Sequence, residues 1–243
     1  MRMVLSRKGF DSSAGGGPSP VVDGRPVSLP IPANGGLSRT TYGDLGLGDH
    51  AARSSRGKLG GEDLCHHDPM FLRDGRAILG QCGAAQTHLA RQGVGVGDVF
   101  VFFGLFCEEG FRPHHRIYAY LAVEEVLPLS AASPARVAEL ARVGMPHAIG
   151  LHAANDTVYL GQGRTSARAS KALRLTVPEG PPSLWRVPGW LRETGLSYHD
   201  RADRWHDNGR LQSVARGQEF VANIGERTDA SEWLARIIAE IER

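Results

Sequence analysis

The sequence predicts one α+β domain, with a mixed or mainly antiparallel sheet, flanking helices and a long irregular N-terminal segment. Three observations predict it. Val99-Phe100-Val101-Phe102-Phe103 is apolar on both faces, as a buried central strand requires. Trp233, Ile237, Ile238 and Ile241 recur at helical spacing near the end of the chain. Residues 21–64 are rich in Gly, Pro, Ser and Asp, and include the necessarily extended Ser28-Leu29-Pro30-Ile31-Pro32.

Each element has its own signal. Residues 2–6 read as a short strand, which runs into Arg7-Lys8-Gly9-Phe10-Asp11-Ser12-Ser13-Ala14-Gly15-Gly16-Gly17, where the glycines forbid regular structure. Such a turn can bring backbone N–H groups to an anion, although neither the GxxxxGK[ST] nor the GxGxxG order is present. Arg53 to Lys58 reads as an exposed tip, and Cys65-His66-His67-Asp68-Pro69 as a loop. Cys82 to Gln92 reads as a helix stopped by Gly93. Arg116 to Val123, continuing to Leu127, is a second long strand that pairs antiparallel with 99–103. Ser133-Pro134 caps a helix that buries Val137, Leu140 and Ala141. Strands follow at Thr157–Leu160 and Ala172–Val177, then a proline-rich linker from Pro178 to Pro188. The last helix runs from Asp229, its expected cap, with Glu232 at the box position, to Arg243 and packs across the sheet.

Composition narrows the classes. The chain has 243 residues, 41% hydrophobic and 22% charged, an ordinary balance for a buried core. No internal repeat divides it. No apolar run is long enough to span a bilayer and no signal-type h-region follows the basic start, so no membrane partner is expected. Cys65, Cys82 and Cys107 are odd in number and widely spaced; they read as reduced thiols of a cytoplasmic protein. A net charge of +2 makes no global case for nucleic acid. Of the 28 basic residues only Lys8, Lys58 and Lys171 are lysines. A GC-rich coding sequence accounts for the bias, yet a retained lysine can do what guanidinium cannot, namely lose its proton when buried.

Five groups could carry chemistry. In the head loop, Arg7 and Lys8 can hold phosphate, Asp11 can act as a base and Ser12 can donate to an oxyanion; the plainer reading is a solvated turn with an Asx contact. His66-His67-Asp68 and His114-His115 contain metal-ligand types, but adjacent histidines without a second spaced pair are expected to be polar loop residues, so no metal is expected. Gln81 and His88 stand seven apart and would share a helical face, with Gln86 pointing elsewhere; glutamine amides can read a base edge. Trp185, Trp190, Tyr198, His199, Arg204 and Trp205 interleave aromatic and charged groups in the way that stacked bases exploit. Trp185 and Trp190 read better as core, whereas His199 beside Asp200 could serve acid–base chemistry. Finally, Arg216, Gln218 and Glu219 flank a glycine ahead of a short strand; Glu219 could be a general base or could orient Arg216.

Taken together, RKGFDSSAGGGPSP with SLPIP, HHDP, GQCGAAQTHL with GVGVGDVFVFFG, LSYH with RW, and RGQEF resemble the bacterial and phage nucleotide modification associated domain family, third class. The resemblance covers about residues 1–235 and implies a nucleotide or nucleic-acid partner, DNA in preference to RNA, within systems that make or process modified bases. It carries no established mechanism and no agreed catalytic residues, and it leaves the cofactor open. Locally, Gly97-Asp98 into 99–103 and the strand from Arg116 resemble the central hairpin of PUA-like barrels such as ASCH, EVE and YTH modules, without the GxKxxExR pattern of ASCH domains.

The expected function is therefore an enzyme acting on a nucleotide or DNA base. In it, Lys8, Asp11, His199 and Glu219 do the chemistry, and Arg7, Ser12, Gln81, Gln86, Tyr198, Arg204, Trp205, Arg216 and Gln218 bind substrate. The alternatives are a non-catalytic PUA-like reader of modified bases and a phage-defence or toxin-type nucleic-acid enzyme. The enzyme reading requires the flexible head and the Arg216–Glu219 segment to share one groove.

Overall fold

A computed structural model describes residues 1–33, 36–215 and 217–243. The strands are β1 (Arg2–Arg7), β2 (Ser19–Val22), β3 (Arg25–Pro26), β4 (Met70–Phe71), β5 (Arg76–Gln81), β6 (Val99–Cys107), β7 (His114–Pro128), β8 (Thr157–Thr165), β9 (Leu184–Arg186), β10 (Trp205–His206), β11 (Arg210–Gln212) and β12 (Glu219–Asn223). The helices are α1 (Gly48–Ser55), α2 (Gly83–Arg91), α3 (Pro134–Arg142), α4 (Pro146–Ile149), α5 (Gly189–Thr194) and α6 (Thr228–Glu242). The main sheet runs β12-β1-β6-β7-β8-β5-β4, with β2 adding to β6; β10, β11 and β9 form a small second sheet. Only the β1–β6 and β2–β6 pairings are parallel among the described ladders, so the sheet is mixed and mainly antiparallel.

Strand alternation sorts the core into two layers. Met3, Leu5, Val99, Val101 and Phe103 face one way, against Leu234, Ile237 and Ile241 of α6. Val4, Phe100 and Phe102 face the other way, with Leu89 of α2 and Tyr159. The double-faced burial of 99–103 thus has its cause: both sides of β6 are covered. β7 carries a bulge, where Phe102 pairs with Ala119 and Phe103 with Ile117, leaving Tyr118 as the extra residue. The bulge bends the strand and helps curl the sheet into a half-barrel. α6 presents Ala230, Leu234, Ile237 and Ile241 to the sheet, each larger side chain contributing about 1.5–3 kcal/mol by burial.

Several expected elements change. Ala172–Val177 is not a strand: Ser170 caps a single 3₁₀ turn at Lys171–Leu173, which drives Leu173 into the core, and isolated bridges follow at Arg174 and Thr176. Asp229 is not the cap of the last helix. The helix starts one residue earlier, and Asp229 pairs with Arg227 at 2.8 Å. The 21–64 stretch is less irregular than expected, since it contains the β2–β3 hairpin and α1. The latter has little local signal and is held by burying Ala51 against Phe10, Leu29, Tyr42 and Cys65. Ser55, expected in an exposed tip, is the buried end of that helix. Trp185 and Trp190 are core, as expected. Cys65, Cys82 and Cys107 are all free thiols. No helix among the described residues is long and apolar enough to cross a membrane.

His115 makes this core sensitive to acid. Its Nδ1 accepts the Trp185 indole N–H at 3.0 Å, and burial, with Arg7 nearby, lowers its pKa to about 3. The folded state therefore refuses a proton that the unfolded state accepts from about pH 6.5 downward. The stabilising contribution is complete above that pH and is lost as pH falls toward 3, at up to about 1.4 kcal/mol per pH unit. Urea unfolding at stepped pH should show this slope, and His115→Phe should flatten it; an unchanged slope would assign acid sensitivity to other groups.

Candidate functional site

The C-terminal end of β1 builds one wall of the site. Because side chains alternate, Ser6 and Lys8 point to one face of the strand and Arg7 to the other. Ser6 pairs in register with Glu219 across the β1–β12 ladder. Its hydroxyl donates to Glu219 Oε1 at 3.0 Å, and Lys8 Nζ donates to the same oxygen at 3.2 Å. Gln81, at the end of β5, donates its side-chain amide there as well. β5 lies five places from β12 in the sheet order, so this bond exists only because the sheet curls enough to bring side chains of β5 and β12 together.

Glu219 is 1% exposed, and its Oε2 has no hydrogen-bond partner. Burial pushes its pKa up, against the opposing pull of the Lys8 ammonium and the Ser6 hydroxyl. Lys8, 11% exposed, stands between this carboxylate and a cavity of about 600 Å³. The cavity is lined by Arg7, Lys8, Asp11 and Ser13 from the head, Gln81 and Cys82 from the end of β5, and Ala215, Gly217 and Gln218 from the segment before β12. The head and the pre-β12 segment do share one groove.

The remaining expected residues divide. Arg7 reaches back to the Ala215 and Val214 carbonyls at 2.7 and 2.8 Å and lies over the Phe103 and Phe220 rings; it fastens the two segments together. Asp11 lines the cavity, but its Oδ1 accepts the Ser13 and Ala14 N–H groups and the Ser13 hydroxyl. Burial would raise its pKa, yet these bonds and Arg7 outweigh burial and hold it below the usual carboxylate range. The anion cradled by the glycine-rich turn is thus the protein's own carboxylate, poorly suited to act as a base. Ser12 is exposed, and Ser13 takes its place at the cavity. Gln218 lines the cavity and accepts the Arg7 N–H through its carbonyl. Arg216 lies outside the described residues.

The aromatic group forms no part of this cavity. His199 is buried; its Nδ1 meets the Ser197 carbonyl at 2.9 Å and its Nε2 takes the Val214 N–H at 3.3 Å, which commits both ring nitrogens to the backbone. Burial lowers its pKa, so it is a neutral brace. Trp205 donates to the His199 carbonyl and packs on the core, and Arg204 donates to the Gln212 carbonyl. Tyr198, half exposed at φ 66°, leans on His88 with ring centres 4.5 Å apart. Gln81 ends a strand rather than joining a helix face with His88, and Gln86 is a buried acceptor for the Tyr159 hydroxyl.

Sequence reasoning passed over part of the opposite wall. His66, Asp68, His147 and His152 all line the cavity. His66 and its neighbour His67 diverge, and His67 faces a second cavity. Instead His66 meets His147 and His152, with ring centres 5.2 and 5.3 Å away, and one ligand-capable atom from each of the three lies within 4.8 Å of the others. Cys82, His147 and Asp156 satisfy the same distance. The expectation of no metal rested on spacing along the chain, whereas this cluster is assembled by the fold. The available signal was the density of His147, His152 and Asp156 within ten residues.

A half-barrel with a polar, charged cavity where the head loop, the end of β5 and the approach to β12 come together is the class that fold and site define. The family model for nucleotide modification associated domain 3 matches residues 2–223, and the chain belongs to this family. Comparison with the curated proteins and with the solved structures gave no match.

The buried pair predicts a double-mutant result. Lys8→Met leaves Glu219 without its counterion and should cost about 3 kcal/mol at neutral pH. With the folded pKa of Glu219 raised further, stability should return as pH falls and Glu219 takes up a proton, and should be lost as pH rises through that pKa. Adding Glu219→Gln should restore most of the loss at pH 7. Chemical denaturation of both single variants and the double variant reads this directly, and strict additivity would mean the pair is not coupled.

Proposed function

We propose that this cavity binds a nucleotide, or a base extruded from DNA, and acts on it as an enzyme, with Lys8 as the group that touches the substrate. The observation that carries the proposal is the Lys8–Glu219 pair: a lysine at the cavity wall, backed by a carboxylate that is buried, has an unpartnered oxygen and has its pKa raised by burial. A lysine so placed can hold an anionic group of the substrate or exchange a proton with the reacting group. Glu219 lies beneath the wall and acts through Lys8 as a positioning residue.

The cavity, of about 600 Å³, has the volume that a nucleotide-sized ligand needs. The Gln81 amide nitrogen is committed to Glu219, so its carbonyl oxygen is left to accept from an exocyclic amine. A modified-base system is the setting that the family supports. The reader alternative calls for an aromatic-lined pocket, and Trp205 and Tyr198 do not line this one.

The test is mass spectrometry of nucleosides after incubation with single- and double-stranded DNA, RNA and free nucleotides. One class should be altered. Glu219→Gln and Lys8→Met should each lower turnover by at least about 100-fold, with Glu219→Gln remaining as stable as the parent. Unchanged substrates together with selective retention of one modified oligonucleotide would replace the enzyme with a reader.

A further inference from the structure

Three imidazoles meet on the wall of the same cavity that Lys8 lines. His66 comes from the loop after Cys65, His147 from α4 and His152 from the turn that follows. His147 and His152 stack with ring centres 4.2 Å apart. The question is why three histidines should be collected there.

Their hydrogen bonds answer in part. His147 Nδ1 is 3.0 Å from Asp156 Oδ1, so its proton belongs on Nδ1. His152 Nδ1 faces the Gly150 carbonyl at 2.8 Å, which only an N–H can satisfy. Both rings therefore turn an unprotonated Nε2 outward. His152 Nε2 is buried and has no partner. His147 Nε2 faces Asp68 Oδ2 at 4.0 Å, and His66 Nε2 faces the same oxygen at 3.8 Å. These gaps are longer than hydrogen bonds, and on His147 it is the lone pair of Nε2 that faces the carboxylate. The other Asp68 oxygen accepts the Gly80 N–H at 2.9 Å, which aims Oδ2 into the cluster. A structural network of histidines and carboxylates would close these contacts. This one gathers three ring nitrogens within 4.8 Å of one another, with an Asp68 oxygen beside two of the rings.

We propose that His66, His147 and His152, with Asp68 as the accompanying carboxylate, bind a divalent transition-metal ion of the zinc type. Neutral imidazoles with a carboxylate are the donors such ions take. Bonds of about 2.0–2.2 Å in a tetrahedral site place two ligands of one ion about 3.3–3.6 Å apart, so ring nitrogens within 4.8 Å of one another need to close by no more than about 1.5 Å. The outer contacts match those of metal-bound histidines, with a carboxylate behind His147 and a backbone carbonyl behind His152. Asp156 also accepts the His152 N–H at 2.7 Å, so one carboxylate braces both ligands. Gly80 keeps the space open: a Cβ there would stand 2.2 Å from the His147 ring. Gln81 and Cys82 adjoin the cluster, so the ion would share the cavity with its ligand.

This inference does not rest on the nucleotide reading, because metal uptake is measured without substrate. The chain is stripped with a chelator and titrated calorimetrically with zinc chloride alone; Co²⁺ then serves as a spectroscopic probe. Stoichiometric Zn²⁺ binding is expected, with a rise in Tm and visible Co²⁺ bands free of thiolate charge transfer. His66→Ala and His152→Ala should each weaken binding by at least about 100-fold, while Cys82→Ser leaves it intact. His147→Ala removes a buried ring, so it is read only after circular dichroism shows a folded chain. Absence of Zn²⁺ uptake, or uptake that survives both His66→Ala and His152→Ala, overturns the proposal. Uptake lost in Cys82→Ser but retained in His152→Ala moves the site to Cys82, His147 and Asp156, and likewise overturns it.

Discussion

A single buried carboxylate oxygen, Oε1 of Glu219, receives donors from three separate places in the chain: Ser6 on β1, Lys8 just beyond it and Gln81 at the end of β5. Much of the site's architecture follows from that convergence. A carboxylate without these donors would be too costly to bury, and the donors cannot converge unless the sheet curls. The pair is better understood as specifying geometry than as adding net stability, since a well-packed apolar group could fill the same space. The bonds that tie β1, β5 and β12 together also deliver a lysine to the cavity wall.

The loops around the cavity follow the same logic on a smaller scale. Asp11 folds the glycine-rich head around its own carboxylate, and Arg7 ties the head to the Val214–Ala215 carbonyls. His199 pins the approach to β12 through two backbone contacts. Residues that by type alone could be catalytic are here spent on holding irregular backbone in place. Irregular segments lack the ladder bonds of a sheet, and side chains supply the partners instead.

Elsewhere on the cavity wall, histidines and carboxylates gather where no turn of local structure demands them. Asp156 holds His147 and the backbone of His152 at once, and Asp68 is aimed by Gly80. The cavity thus has two chemically distinct sides, a lysine–glutamate pair and an imidazole cluster.

By itself the sequence determined the elements whose signals are local. The double-faced burial of 99–103, the Ser133-Pro134 helix start and the final amphipathic helix were all legible in it, as was the promise of Lys8 and Glu219 as polar groups in apolar or flexible surroundings. Only the tertiary structure decided which polar residues meet. Gln81 joined Glu219 across 138 positions, while Asp11, Gln86 and His199 turned to structural duty. His66 found partners 81 and 86 positions away rather than in adjacent His67. The physical reason is range: periodicity and capping act over a few residues, whereas a site forms where distant side chains share a surface made by sheet curvature, and no local pattern encodes that curvature.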